Sequence, residues 1–567
     1  MSSKSHKRIL VTSALRYATG PVHIGHIAGA YLPADIFVRY QRLNGADIIH
    51  IGGTDEYGVP VTVKAEQEGI SPQEVVDRYH KVIKDCYDGL GIEFENFSRT
   101  TRPIHTKTTQ DFFLKLLENG YIETNAVTQL FCENCQRGLP DRYVEGICPY
   151  CKKPGARGDQ CESCGRLLEA VDLVEPHCKI CGGAPVQRVT THWFFKLSVF
   201  QDRLAQWLDS RTDWKDNVKN FCAGWFKEGL RNWAITRDLH WGIPVPLKGA
   251  EGKVLYVWFD APIGYISATK EWAEVRGNPD LWKEYWCSPE CRIIHFIGKD
   301  NIQFHAILWP AMLMGHGGYE LPSDIPANEF MDIYGEKFST SRNLAIWVSD
   351  YLKEFEPDPL RYYIAANAPE NSNSDFSWRE FQARSNNELA DILGNLINRT
   401  LTFAERFFGG VVPERGTLDD DDKKLLETLE KAPAEIGELF ATFRARQATA
   451  ELMNIGRIGN KYFNDREPWR TRSADPAKCA TTMNLCVQMI RTLAILFHPI
   501  LPFSTAKVWK MLALDGDIGR QPWDDAGTIQ VPAGHKLGRP EVLFKKITDE
   551  IIEEQEQKLG QVWEKQA

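Results

Sequence analysis

Along the first hundred positions, short unbroken apolar runs alternate with amphipathic stretches. Arg8 to Leu15 and Asp47 to Gly52 read as strands buried on both faces, and Pro72 to Tyr87 has the three-to-four-residue spacing of a helix with one wet side. That rhythm predicts an α/β fold built on a doubly wound parallel sheet. From about residue 121 to 233 short, turn-rich segments interrupt it, and apolar runs return in Val254 to Phe259 and Ile293 to Gly298, read as further strands. An insertion splitting one nucleotide-binding sheet is the simplest account. Beyond about residue 386 helical periods take over in Leu389 to Phe408, Lys423 to Phe443 and Thr482 to Phe497, predicting an all-α helical-bundle domain. The tail from Glu541 is highly charged with sparse apolar positions such as Val542, Leu543, Ile547, Ile551 and Ile552, and reads as a helix docking backward or a frayed end.

A length of 567 residues exceeds one core and predicts two to four domains. The net charge of -9 excludes a molecule coated in basic surface, so a nucleic-acid partner would have to meet a local patch. Met1 to Lys7 contains no signal-peptide core and no apolar run approaches membrane-spanning length, so a soluble cytoplasmic protein without a membrane partner is expected.

Eight of the fourteen cysteines fall into four Cys-x-x-Cys units: Cys132/Cys135, Cys148/Cys151, Cys161/Cys164 and Cys178/Cys181. Nearby Gly and Pro residues allow the tight turn of a zinc knuckle, and four tandem units without a surrounding βαβ pattern argue against a redox dithiol. Eight thiolates suit two tetrahedral zinc sites. Full thiolate ligation leaves no open position, so the zinc would be structural. The spacing leaves the pairing open. Cys287 and Cys291 lack partners and read as free thiols, with Cys86, Cys222, Cys479 and Cys486.

Candidate chemistry begins at His23-Ile24-Gly25-His26, which follows the first strand and a Tyr17-Ala18-Thr19-Gly20-Pro21 turn and opens a helix. A helix N-terminus directs backbone N–H groups and a positive dipole outward, two imidazoles add donors, and Gly25 lets a base or ribose approach the backbone. Far downstream, Lys337-Phe338-Ser339-Thr340-Ser341-Arg342 forms a hydroxyl-rich loop beside Gly335, suited to closing on a triphosphate. The two segments resemble the HIGH and KMSKS signatures of the class I aminoacyl-tRNA synthetases, and specifically of the methionyl family. The second signature lacks its second lysine, so Thr340 offers only a hydroxyl there.

That resemblance implies a Rossmann-type sheet split by a zinc-knuckle insertion. It implies catalytic His23, His26 and Lys337, and an ATP site of His23, Gly25, His26, Gly298, Asp300, Lys337, Ser339, Thr340 and Ser341 with Mg2+ on the triphosphate. It also implies nested zinc sites, the inner from Cys148, Cys151, Cys161 and Cys164, the outer from Cys132, Cys135, Cys178 and Cys181.

A pocket for methionine needs an anion for the ammonium and an apolar lining for the thioether, which packs well on aromatic rings. Asp55 ends a strand where open α/β sheets bind ligands, and two aromatic segments, Tyr256 to Tyr265 and Phe304 to Trp309, could line the cavity. By resemblance the contacts are Ala14, Leu15, Tyr17, Asp55, Trp258, Ala261, Pro262, Tyr265, His305 and Trp309, with Asn301 standing where isoleucine is common. Asp300 follows a strand as ribose-binding carboxylates do, and Arg237 is placed near the active site in the family. In the helical region Asn395, Arg399 and Trp469 match positions that read the first anticodon base. The segment Pro468-Trp469-Arg470 is expected to end a helix, and Arg444, Arg446, Arg457, Lys461, Arg466 and Arg472 to supply local positive charge.

The expectation is therefore a monomeric ligase joining L-methionine to tRNA(Met) through an adenylate. Its rivals are a class I ligase for valine, isoleucine or leucine, a tRNA-independent nucleotidyltransferase, and a zinc-knuckle RNA-binding protein without catalysis. The expected domains are residues 1–120 and 234–330 for the two halves of the catalytic sheet, 121–233 for the zinc insertion and 331–385 for the signature loop and stem contact. Residues 386–540 would read the anticodon, and 541–567 form the tail.

Overall fold

The computed structural model describes residues 7–140, 143–158, 161, 163–164, 166, 168–338 and 344–564. Six parallel strands carry the fold: β1 (Arg8–Ser13), β2 (Arg16–Tyr17), β3 (Asp47–Asp55), β4 (Asn96–Arg99), β5 (Cys291–Gly298) and β6 (Ala327–Asn328). β1 lies between β3 and β5, with Leu10 opposite both Ile49 and Ile293. β2 and β4 both pair with β3, and β6 closes the far side of β5. Sheets covered on both faces read as unbroken apolar runs, which is why β1, β3 and β5 were legible in the sequence, whereas the short β2, β4 and β6 were not. β1 has neighbours in both directions, so the crevice at the carboxyl ends of β1, β3 and β5 is the switch point where such sheets take ligands.

The run Val254 to Phe259 is not a strand of this sheet. A strand covers only Lys253–Leu255, pairing antiparallel with Thr236–Asp238, and at Val257 the chain turns into a nineteen-residue helix, Val257–Val275. Fourteen of its residues are buried and its solvent-facing charged residues Lys270, Glu271 and Glu274 come only in its last turns, so its opening resembles a core strand.

The insertion is more regular than its turn-rich sequence suggests. Ile122–Cys132 and Val186–Phe195 form a long antiparallel ribbon, and a three-stranded sheet of Val144–Ile147, Ala156–Arg157 and Val174–Cys178 lies at its tip. Residues after the ribbon fold into helices Gln201–Asp209 and Asp216–Glu228, whose Leu204, Trp207, Leu208, Val218 and Cys222 join the catalytic core.

Beyond residue 386 the chain is helical. The helix Pro476–Phe497 is long and apolar enough to span a bilayer, contrary to expectation, yet 94% of its most apolar stretch is buried inside the protein. It is the axis of the bundle. A fully buried Arg361 fastens the bundle to the catalytic half. It donates to Asp35 Oδ2 at 2.7 Å, Leu90 O at 2.9 Å, Ile500 O at 2.8 Å and Pro499 O at 2.9 Å. Burial alone would raise the Asp35 carboxyl, but Arg39 and Arg361 hold it down at about 2. The tail docks backward, with helix Asp549–Glu564 burying Ile552 and its Glu556 accepting from Tyr334 at 3.2 Å.

Candidate active site

The turn after β2 ends in an extended His23, and Ile24–His26 forms the first helical turn, widened by a π turn at Ile27–Tyr31 before the helix Leu32–Leu43. The backbone N–H of His23 donates to His26 Nδ1 at 3.2 Å, and the two imidazoles lie with ring centroids 3.4 Å apart. Burial first, and the Arg16 guanidinium second, push both histidines well below the usual imidazole range. They therefore act as neutral N–H dipoles rather than cations.

The downstream loop lies on the same side. Phe338 stacks on His23 with centroids 4.8 Å apart and planes 11° apart. Past the loop, Ile24 N donates to Ile346 O at 3.1 Å and Val348 N to Val22 O at 2.9 Å, which ties the returning strand to the histidine turn. A side chain at position 25 would place its Cβ 2.9 Å from the Phe338 ring, so the glycine is needed for this approach. Lys337 is exposed, its Nζ 5.5 Å from the Phe330 ring centre. Ser339, Thr340 and Ser341 lie outside the described residues.

At the end of β5, Asp300 keeps an exposed face, while the protein packed around it raises its carboxyl by desolvation. A Cβ on Gly298 would lie 2.7 Å from Asp300 Oδ1, so glycine lets that carboxylate fold over the strand end.

Beside the histidines is an aromatic pocket. Trp258 stacks on Phe304 with centroids 3.7 Å apart, and Tyr17 meets Trp258 edge-on at 6.0 Å. Tyr265 Oη lies 2.8 Å from His305 Nε2, while His305 Nδ1 lies 3.1 Å from Asn301 O. Burial lowers His305 to about 4, so the neutral ring donates to that carbonyl and accepts from the tyrosine. Leu15 packs where a Cβ on Gly264 would sit, and Tyr31 Oη donates to Ala14 O at 2.7 Å. Ala261 and Pro262 are buried in the first turns of the helix Val257–Val275. Trp309 stands apart: one turn beyond His305, it is wholly buried against Phe112 and Trp286.

Two carboxylates complete the pocket. Asp55 and Asp260 are both buried, and both oxygens of Asp260 lack a hydrogen-bond partner. Burial first, and the neighbouring Asp260 second, raise Asp55 well above the ordinary carboxyl range. With both carboxyls raised, the pocket disfavours their joint ionisation, a cost that a cation of ammonium size would offset. Arg237 lines an adjoining cleft of about 530 Å³ with Tyr17 and Trp258. It donates to Ala234 O and Thr236 O, each at 3.0 Å, and its guanidinium lies over the Tyr256 ring.

Phe304, Asp260 and Arg16 were not singled out by sequence reasoning. The only signal for the first two was membership in the aromatic segments. Arg16, in the strand before the turn, carried none.

The thiols converge as two nested quartets. Cys132, Cys135, Cys178 and Cys181 form one and Cys148, Cys151, Cys161 and Cys164 the other, all sulfurs of each within 4.8 Å of one another. The pair distances of 3.4 Å for Cys132–Cys181 and 3.6 Å for Cys151–Cys161 suit tetrahedral thiolate ligation of zinc. Gln136, Lys152 and Gly182, each directly after the second cysteine of its unit, adopt positive φ, the tight turn that a knuckle requires.

In the helical region Asn395 is exposed, and Arg399 donates to Asn464 Oδ1 at 2.8 Å and Asn460 O at 2.9 Å while lying over the Phe463 ring at 4.1 Å. Phe463 and Trp469 lie 6.2 Å apart, and Trp469 is 46% exposed. Pro468 begins a helix, Pro468–Ala474, instead of ending one, because proline suits a first turn where no N–H is needed. Arg466 is not a surface cation. It is buried and pairs with Asp419, the N-cap of the helix Asp420–Ala441, and with Asp422.

Comparison with known proteins agrees with this geometry. Residues 9–401 match the family model of tRNA synthetases class I (M), and residues 412–563 that of the anticodon binding domain of methionyl tRNA ligase. A methionine–tRNA ligase from Porphyromonas gingivalis is 50% identical over 98% of this chain and 81% of its own length. One from Pyrococcus furiosus is 48% identical over 96% and 76%. Among solved structures, Mycobacterium tuberculosis methionyl-tRNA synthetase in complex with methionyl-adenylate superposes with a TM-score of 0.79 at 26% identity, covering 95% of this chain and 99% of that one.

Proposed function

Since the chain belongs to the class I methionyl-tRNA synthetase family, we propose that the crevice at the carboxyl ends of β1, β3 and β5 performs each step of methionine–tRNA ligation with the residues it gathers. The reaction is ATP-dependent. A methionine carboxylate oxygen attacks the α-phosphorus, the bond to the β-phosphate oxygen breaks, and pyrophosphate leaves. A hydroxyl of the terminal tRNA ribose then attacks the adenylate carbonyl and AMP departs.

The observation that carries this assignment is the stack of Phe338 on His23, which brings the two signatures to one side of the aromatic pocket. Neutral His23 and His26 donate to phosphate oxygens, and Lys337 swings from the Phe330 ring to the departing pyrophosphate. Ser339, Thr340 and Ser341 supply hydroxyl and backbone donors, Gly25 and Gly298 leave room for the nucleoside, and Asp300 accepts from the ribose. Asp55 holds the ammonium beside Asp260, and Trp258, Tyr265 and His305 surround the thioether with Ala14, Leu15, Tyr17, Ala261 and Pro262. Trp309 acts through the wall behind His305. The gain is orientation and fixed dipoles, with no covalent enzyme intermediate.

Mg2+ accompanies the triphosphate and neutralises its charge when bound. The two thiolate quartets hold structural zinc and stiffen the end of the ribbon. Asn395, Arg399 and Trp469 read the anticodon of tRNA(Met), a stacking face with guanidinium donors that suits an unstacked base. The residue ranges drawn from the sequence serve as the working domain division, and the enzyme acts as a cytoplasmic monomer.

Amino-acid-dependent exchange of pyrophosphate into ATP tests the assignment. Exchange with methionine, and not with valine, isoleucine or leucine, is expected. Exchange with one of those three but not methionine, or with no amino acid, overturns it.

A further inference from the structure

Arg16 is a charge without a counter-charge. Its guanidinium is enclosed between β2 and the histidine turn, with Tyr31, Tyr87 and Cys86 around it, and among the described residues no carboxylate pairs with it. Nη2 donates to Pro21 O at 2.7 Å, Nη1 lies 2.5 Å from His26 Nε2, and Nε is buried without a partner. The contact with His26 is itself incompatible with a settled resting state. A neutral imidazole has one acceptor nitrogen, and His26 Nδ1 already faces the His23 backbone N–H at 3.2 Å. Two obligate donors therefore compete for one acceptor. A buried polar group in this position is held against a loss that only a missing acceptor removes.

Among the described residues, no other side-chain cation is seen against the histidine turn. His23 and His26 are neutral, and Lys337 lies over Phe330. Between Lys337 and Arg342 the loop carries only Phe338, Ser339, Thr340 and Ser341.

Resting on the reading above, we propose that Arg16 is the resident cation of the phosphate site. When the nucleotide binds, its guanidinium leaves His26 and donates paired N–H bonds to phosphate oxygens. His26 then keeps the His23 N–H on Nδ1, and its Nε2–H turns to the same phosphate group. No proton changes hands. The charge missing at Thr340 is supplied from beneath the turn.

Binding of ATP, adenosine and methionine to the full chain, with methionine-dependent exchange kinetics, separates this role from a structural one. Arg16→Met should weaken ATP binding at least tenfold while adenosine and methionine stay within twofold, and should lower kcat/KM for ATP about a hundredfold. Arg16→Lys, which keeps the charge but not the fork, should fall between and serves as the decisive variant if Arg16→Met does not fold. Equal weakening of ATP and adenosine would show a merely structural residue, and unchanged ATP binding would also overturn the proposal. If the wild-type chain itself shows no methionine-dependent exchange, it is the functional reading that fails.

Discussion

Gly25→Ala separates catalytic geometry from folding. The new Cβ would lie 2.9 Å from Phe338 Cδ2 and 3.1 Å from His23 Nδ1, below the ordinary contact of carbon atoms. The Phe338 ring must withdraw by about half an ångström and His23 by a few tenths, since van der Waals contact between carbons begins near ~3.5 Å. Position 25 is helical, where replacing glycine by alanine favours the fold by about 0.5–1 kcal/mol. The two effects therefore have opposite signs. Since a displacement of about 1 Å can lower a rate about a hundredfold, half of that predicts roughly a tenfold loss of exchange kcat, about 1.4 kcal/mol in the barrier. Methionine-dependent pyrophosphate exchange and a thermal melt on the same preparation read both quantities. A kcat within twofold of wild type, or a loss accompanied by a lower Tm, would refute the claim that the Phe338–His23 contact sets the catalytic geometry.

Three further outcomes follow from the same contacts. Phe304→Ala removes the ring stacked on Trp258 and should raise KM for methionine more than tenfold in exchange assays while KM for ATP changes little; truncating so buried a ring also costs about 3–5 kcal/mol, measurable by denaturant unfolding. Cys161→Ser breaks the inner thiolate quartet alone, so bound zinc measured by atomic absorption should fall from two per chain to one, with the outer quartet still loaded. Burial depresses His50 and His305 to about 4, so each contributes stability that is fully present above the unfolded value near 6.5 and is lost as pH falls through 4. Each should steepen the acid loss of unfolding free energy by about 1.4 kcal/mol per pH unit between those limits, and His50→Gln should flatten the profile seen by urea unfolding.

Both signatures, all four cysteine units and the order of sheet, insertion and bundle were legible in the chain, because each is a local pattern. A histidine pair after a strand, a Cys-x-x-Cys turn and a helical period all depend on residues near in sequence. Legibility failed where burial erased the period. The helix Val257–Val275 opens on a buried, mostly apolar turn that imitates a strand, and the run Pro476–Phe497 is longer and more apolar than the sequence reading allowed because it is buried in the bundle. It failed again where partners are distant. Arg466 reads as a surface cation until Asp419 and Asp422 are brought to it.

What the sequence determined by itself was which chemical groups stand near one another along the chain: histidines after a strand, thiols in pairs and aromatic rings in short runs. Which groups meet was decided only by the tertiary structure. The parallel register of β1 with β3 and β5 gathers the histidine turn, Asp55 and Asp300 at one edge, and the antiparallel ribbon of the insertion folds the outer cysteines together across almost fifty residues. The physical reason is range. Turn and helix preferences act over a few residues, whereas the pairing of Phe338 with His23 and the enclosure of Arg16 beside His26 arise from packing that no local pattern encodes.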